Sequence, residues 1–386
     1  MGINFYFKNF NKKVNFKEKK KLLNQINKIK NLLLPEFLKS FKNDYKYSYN
    51  RKFVKKYINF KNINIIGMGG SSLGSKAIYN FLKFKIKKKI TFFEDLNLKK
   101  ENKSKVLNIV ISKSGNTLET IVNFNLKFNK KDKNIFITEN RNNYLRKLGE
   151  KLKSDIIEHK NFIGGRFSVL SEVGMLPAEL MGLNESKFKQ FNNLIAKKTF
   201  LNNLIKNVLN TYQFIKNKKF NSVILNYDSQ SEDFFKWYQQ LISESLGKNS
   251  KGILPIISNM PKDNHSILQL YLSGFKSNFY TFYIVEEKNS KKLNSKLLFN
   301  NFNFLKEKKT FEILNAQRVA TENVFRSKKI PFRSFYIKKR NEEALGEMFC
   351  FFTLEVILLS NLLRVNPLNQ PEVELVKNET FKILRK

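Results

Sequence analysis

Residues 62–74 read NINIIGMGGSSLG, and residues 106–120 read VLNIVISKSGNTLET. Each is a short apolar run, then a turn rich in Gly, Ser or Thr, then an amphipathic stretch. Continuous apolar runs of this length suit strands buried on both faces. Glycines let the main chain approach a ligand, and a helix N-terminus offers free N–H groups and partial positive charge. Each stretch therefore predicts a strand–turn–helix unit whose turn can hold an anion. Working outward, Ile90–Phe93 and Asn134–Thr138 read as further strands, and Leu73–Phe84 and Leu118–Phe128 as helices. Such alternation predicts a parallel sheet with helices on both faces.

The alternation resumes downstream. Ser222–Asn226, Ile253–Ser258, Phe279–Val285 and Phe332–Ile337 read as strands. Ser231–Leu246, Asn264–Phe275, Glu312–Ser327, Glu342–Val365 and Glu372–Leu384 read as helices, and Lys288–Lys309 as a polar loop. Residues 1–60 are Lys-rich and weakly helical, as at Lys19–Leu34. The expected fold is α/β: two three-layer α-β-α sandwiches with mainly parallel sheets. The expected division is a helical segment over 1–60, a first α/β unit over 61–185, a second over 186–340, and closing helices over 341–386.

A chain of 386 residues with 41% apolar content can bury a large core. Its formal net charge is +40, carried by 62 Lys but only 10 Arg. Lys, Asn and Phe together exceed a third of the chain and share A/T-rich codons. Drift of exposed positions toward Lys produces such a charge without any nucleic-acid partner. Arg, the residue that reads phosphates and bases bidentately, is scarce, so specific nucleic-acid binding is not expected.

One cysteine, Cys350, excludes an internal disulfide and fits a reducing cytoplasm. With two histidines beside it, soft ligands are too few for a zinc site. The N-terminus lacks the continuous apolar core of a signal peptide. Met348–Leu363 is the most apolar segment, but Glu355 interrupts it and it is short for a membrane span. It reads as a buried or interface helix, so no membrane association is expected.

The two turns differ in chemistry. Gly67-x-Gly69 followed by Glu94 could suggest a dinucleotide fingerprint, but Ser72 replaces its third glycine and the acidic residue comes late. In the second turn Ser112, Ser114 and Thr117 offer hydroxyls and Lys113 a charge, enough to hold a phosphate without metal. Four further segments stand downstream: GGRFSVLSEVGMLP (164–177), SESLGK (243–248), DNHSILQLYLSG (263–274) and NPLNQPEVELVK (366–377). The pair of turns resembles a sugar-isomerase (SIS) domain. The ordered set, with the helix around Leu345–Glu355, resembles the glucose-6-phosphate isomerase family across about residues 62–377.

That resemblance implies a metal- and cofactor-independent aldose–ketose isomerase acting through a cis-enediol. It implies that Glu244 moves a proton between C2 and C1, and that Arg166 stabilises the enediolate. It assigns ring opening to His265 and Lys377, with His265 reaching a neighbouring subunit's site in a homodimer. Gly70, Ser71, Ser112, Lys113, Ser114, Thr117 and Gln370 are implied to hold the phosphate and sugar, and Glu374 matches a nearby acidic position. The chain departs from the family pattern at Leu368, Asn369, Glu372 and Glu172, and at Gly115-Asn116. A bifunctional enzyme also accepting mannose 6-phosphate is one alternative. A non-catalytic sugar-phosphate sensor is another, and it would need none of Glu244, Arg166 or Lys377.

Overall fold

The computed structural model describes residues 4–10, 16–30, 35–96 and 105–386. Ten strands form two five-stranded sheets. They are β1 (Phe5–Lys8), β2 (Asn62–Ile66), β3 (Lys89–Phe93), β4 (Leu107–Ile111), β5 (Lys133–Thr138) and β6 (Asp155–Glu158), then β7 (Asn221–Asn226), β8 (Leu254–Asn259), β9 (Asn278–Val285) and β10 (Phe332–Ile337). The first sheet has the order β3-β2-β4-β5-β6 and is parallel throughout. The second has the order β1-β10-β9-β7-β8, parallel except for β1. Helices connect β2 to β3, β4 to β5, β5 to β6 and each successive pair from β7 to β10, so the expected α/β class and mainly parallel pairing hold.

Strand β4 is buried at every position, yet it carries Asn108. The register explains this. Asn64, Asn108 and Asn134 stand side by side on β2, β4 and β5. Asn64 donates to Asn108 and Asn108 donates to Asn134, each at 2.9 Å. The amides satisfy one another, so a polar ladder sits in the sheet without orphaned groups.

The helix Glu342–Leu363 is long and apolar enough to cross a membrane, but 94% of its apolar window lies inside the protein. It packs against the helices Lys198–Lys216 and Glu232–Leu246. Glu355, the residue that interrupts its apolar run, pairs with Arg333, and each is 1% exposed. Asn207 and Tyr238 also donate to Glu355. The reading of a buried helix holds, and the charge within it is neutralised.

Two strands were not expected. The segment read as helical over 1–60 begins with β1, which pairs antiparallel with β10. Phe5 and Phe7 point inward at 2% exposure, Tyr6 and Lys8 point out, and Phe7 stacks on Phe335 at 4.5 Å. Helices follow at Phe16–Lys30 and Arg51–Tyr57; the last residues of the expected helix, 31–34, lie outside the described residues. The second is β6, a four-residue edge strand. The expected helix Asn264–Phe275 is also broken. A short turn, Lys262–His265, precedes the helix Leu268–Ser273, because Asp263 folds back to accept from the Ser258 hydroxyl and Asn259 N–H, both at 2.8 Å.

Candidate active site

The turn after β2 is shaped by what touches it. Gly69 sits at φ +54°, in the left-handed region. A Cβ there would meet the Gln240 side chain at 2.9 Å, and one on Gly70 would lie 2.3 Å from the main chain of Gly165. Ser168 donates to the Gly70 carbonyl at 3.2 Å. The glycines thus admit the Gly164–Arg166 turn and the helix Glu232–Leu246, which places Gly70 at a packing contact. Ser71 stands half-buried beside it. Ser72 donates to Glu94 at 2.7 Å, and Lys76 pairs with the same carboxylate. Glu94 is therefore occupied within its own unit, which removes the acid that a dinucleotide ribose would need.

The turn after β4 gathers hydroxyls. Ser112 Oγ lies 2.8 Å from Thr117 Oγ1 and 3.5 Å from Ser114 Oγ. The N–H groups of Gly115 and Asn116 donate to Ser112 and Ser114 at 3.2 and 3.3 Å. The helix Leu118–Lys127 opens here with no side-chain cap, leaving a cluster suited to an anion. Lys113 does not join it: its ammonium donates to the Asn161 carbonyl at 2.7 Å and lies 3.6 Å from Glu139. This corrects the expectation that its side chain adds charge within the turn. Burial lowers the Lys113 pKa, and the charge of Arg166 adds to the effect.

Arg166 lies in the turn Gly165–Leu170 and is 3% exposed. Its guanidinium pairs with Glu244, the third residue from the end of the helix Glu232–Leu246. A second nitrogen donates to the Asn369 carbonyl at 3.3 Å. Arg166 Nε is buried without a hydrogen-bond partner among the described residues. Gln240, one helical turn before Glu244, donates to the other carboxylate oxygen at 2.9 Å. Glu244 is thus fixed from two sides while a quarter of its side chain remains exposed.

That exposed part faces a cavity of about 690 Å³ lined by Glu244, Gly247, Lys248, Asn369, Gln370, Glu372 and neighbouring residues. Lys248 closes one wall, donating to the carbonyls of Ser245 at 2.9 Å and Asn366 at 2.6 Å. Its pKa is lowered to about 8, mainly by burial and secondarily by Arg166.

The structure therefore brings Arg166, Glu244 and Gln370 together. The cavity lining includes neither His265 nor Lys377, and it does not include Gly70, Ser71 or the turn residues Ser112, Lys113, Ser114 and Thr117. His265 is exposed at the end of its short turn. Lys377 lies on the exposed helix Pro371–Leu384 and pairs with Glu374 at 2.7 Å. Glu172, a departure from the expected pattern, is fully buried. It accepts from Tyr45 at 2.9 and 3.0 Å and from the Ser48 N–H at 2.9 Å. Sequence reasoning missed Gln240, whose only signal is its place four residues before Glu244.

A hydroxyl-lined turn able to take a phosphate and a carboxylate–guanidinium pair able to move a proton are both features that a phosphosugar isomerase needs. The chain belongs to the phosphoglucose isomerase family, whose model matches residues 11–386. It is 32% identical over 360 residues to a glucose-6-phosphate isomerase of Methanocaldococcus jannaschii, covering 88% of each chain. A glucose-6-phosphate isomerase of Mycoplasmopsis synoviae is 31% identical, with 83% of this chain and 82% of that one covered. Among solved structures, a glucose-6-phosphate isomerase from Chlamydia trachomatis superposes with a TM-score of 0.74 at 16% identity, covering 95% and 84%, a likeness of fold.

Proposed function

We propose that the protein interconverts glucose 6-phosphate and fructose 6-phosphate. The observation that carries this is the Arg166–Glu244 pair, buried at its cationic end and open to the cavity at its anionic end. Ser112, Ser114 and Thr117 hold the phosphate with the free N–H groups of the following helix, and Lys113 contributes through the turn it belongs to. Gly70 and Ser71 shape the adjoining wall, and Gln370 contacts the sugar phosphate from the far side.

In the proposed reaction Glu244 takes the C2 proton of the open-chain aldose and returns it at C1, while the hydroxyl proton passes from O2 to O1. The developing enediolate oxygen draws on the guanidinium of Arg166, whose buried Nε has no hydrogen-bond partner among the described residues. While Arg166 holds Glu244 the carboxylate is neutralised. Substrate oxygens that engage the guanidinium release it to act as a base. Ring opening falls to His265 and Lys377. His265 stands exposed and off the cavity wall, which suits a residue that serves a neighbouring subunit's site; the proposed working form is a homodimer, and its proposed location the cytoplasm. The chain divides at about residues 60, 185 and 340, with the closing helices completing the site.

The test is a coupled assay on fructose 6-phosphate with Glu244→Gln alongside the parent. Loss of proton transfer should lower kcat by about 10²–10⁴-fold. A Gln variant with near-parental kcat would remove Glu244 from the reaction. Light scattering that returned a monomer under assay conditions would remove the partner's role for His265.

A further inference from the structure

A second cavity, also about 690 Å³, lies at the β1–β10 edge of the second sheet. It shares no lining residue with the cavity at Glu244. Its walls come from three separate parts of the chain. Lys8, Asn9 and Phe10 close β1. Asn203 and Lys206 come from the helix Lys198–Lys216. Arg326 and residues 329–332 link the helix Thr310–Ser327 to β10.

Four of its ten lining residues are Lys or Arg, and none is acidic. A basic rim alone is expected on a chain with 72 Lys plus Arg in 386 residues. Four in ten is about twice that density, and the missing carboxylates mark the site further. Elsewhere on this surface lysines recruit acids: Lys56 pairs with Asp155, Lys85 with Glu342 and Lys292 with Glu307. At this cavity Lys8, Lys206 and Lys329 have no carboxylate partner among the described residues. Among the described residues the Arg326 guanidinium has no carboxylate partner either and donates to the side-chain oxygen of Asn323 at 2.9 Å. Like charges converging on one concavity raise the local potential and repel one another until an anion arrives.

The floor is different. Phe10 is buried at 1% exposure, and Ile330, Pro331 and Phe332 are half-buried. Asn9 is fixed by its bond to the Asn203 carbonyl at 2.8 Å, which ties β1 to the helix across the cavity. An apolar floor under a cationic rim suits a ligand with a flat apolar part and several negative charges. A simple sugar phosphate would leave its hydroxyls against Phe10 and Pro331 without partners. The volume lies within the range of small-ligand sites. A concavity bounded by three segments of the chain, open on one side, suits a small molecule better than a nucleic-acid strand.

We propose that this cavity binds a nucleoside polyphosphate, base toward Phe10 and Pro331, phosphates toward Lys8, Lys206, Arg326 and Lys329. The site is separate from the one that carries isomerisation, and the proposal stands whether or not that reading does.

The experiment is equilibrium dialysis of the full chain against ATP without magnesium, at moderate salt. Lys8→Glu/Lys206→Glu is compared with Lys130→Glu/Lys151→Glu, which changes the net charge equally around a different cavity. All four side chains are exposed, and circular dichroism melts verify that the variants stay folded. The expected result is saturable binding weakened at least about tenfold by the first pair and less than about twofold by the second. Tripolyphosphate should compete and fructose 6-phosphate should not. Equal losses in both variants would mean general surface charge and overturn the proposal. So would displacement by fructose 6-phosphate, which places ATP in the other cavity. Absence of saturable binding, or a single-stranded oligonucleotide outcompeting ATP by orders of magnitude, would also overturn it.

Discussion

Lys189 donates to the main-chain carbonyl of Leu170, the last residue of the turn that carries Arg166. The same ammonium bonds the Ser40 carbonyl and sits 5.2 and 4.8 Å from the ring centres of Tyr45 and Tyr47. It is 6% exposed, and burial lowers its pKa to about 7. The lysine therefore joins residues 40–47 to the turn that carries Arg166 from inside the protein.

A pH dependence follows. The unfolded chain keeps this proton up to about pH 10.5, while the folded chain releases it near 7. Between those values the unfolded state binds more protons, so stability rises with pH, and it is lost as pH falls toward 7. One group contributes at most about 1.4 kcal/mol per pH unit. Lys189→Met should flatten the slope of unfolding free energy between pH 7.5 and 9.5 in urea titrations. A variant with the parent's slope would show that another group is responsible.

Arg166→Lys tests the guanidinium itself. A lysine keeps the charge but cannot hold Glu244, reach the Asn369 carbonyl and present a third donor together. The expected result is a fall in kcat of about 10²–10³-fold with KM changed far less, because the lost contacts matter most as the enediolate forms. Steady-state kinetics on fructose 6-phosphate decide it. A variant losing affinity while keeping kcat would make Arg166 a binding group only.

Part of this arrangement was legible in the sequence. The Asn62–Ile66 and Leu107–Ile111 strands announce themselves as apolar runs ending in Gly- and Ser-rich turns. Arg166 and Glu244 stand in segments whose order resembles one family. Strand β1 was not legible, because its four residues find their partner more than 300 positions away. Strand β6 offers only two adjacent apolar residues between acids. Lys189 looks like any other lysine among 62; only the convergence of Ser40, Leu170, Tyr45 and Tyr47 distinguishes it. His265 and Lys377 were legible as motif residues, but a single chain gives them no common place.

The Arg333–Glu355 pair makes a sharp stability prediction. Both residues are 1% exposed, and Arg333 also donates to Thr281 at 2.9 Å and Asn207 at 2.8 Å. Removing one partner leaves the other charge buried and unpaired. Glu355→Leu should cost about 3–5 kcal/mol, whereas Arg333→Met/Glu355→Leu should recover much of that loss. Chemical denaturation of the three proteins measures it. A double variant no more stable than the single one would show that the neighbouring amides, not the charges, hold this region.

Glu372 lines the cavity shared by Glu244, Lys248 and Gln370. It opens the helix Pro371–Leu384, where a carboxylate suits the helix dipole. For a dianionic sugar phosphate, however, it is a like charge at the entrance. The two effects predict different readouts. Glu372→Gln removes the repulsion and part of the helix stabilisation, so KM for fructose 6-phosphate should fall about two- to fivefold while kcat stays close to the parent. The KM difference should shrink at high salt, because exposed charges are screened. Paired kcat and KM measurements at low and high ionic strength check both parts. A KM that does not fall, or a gain that persists unchanged in high salt, would mean that Glu372 acts through the helix and not through the substrate's charge.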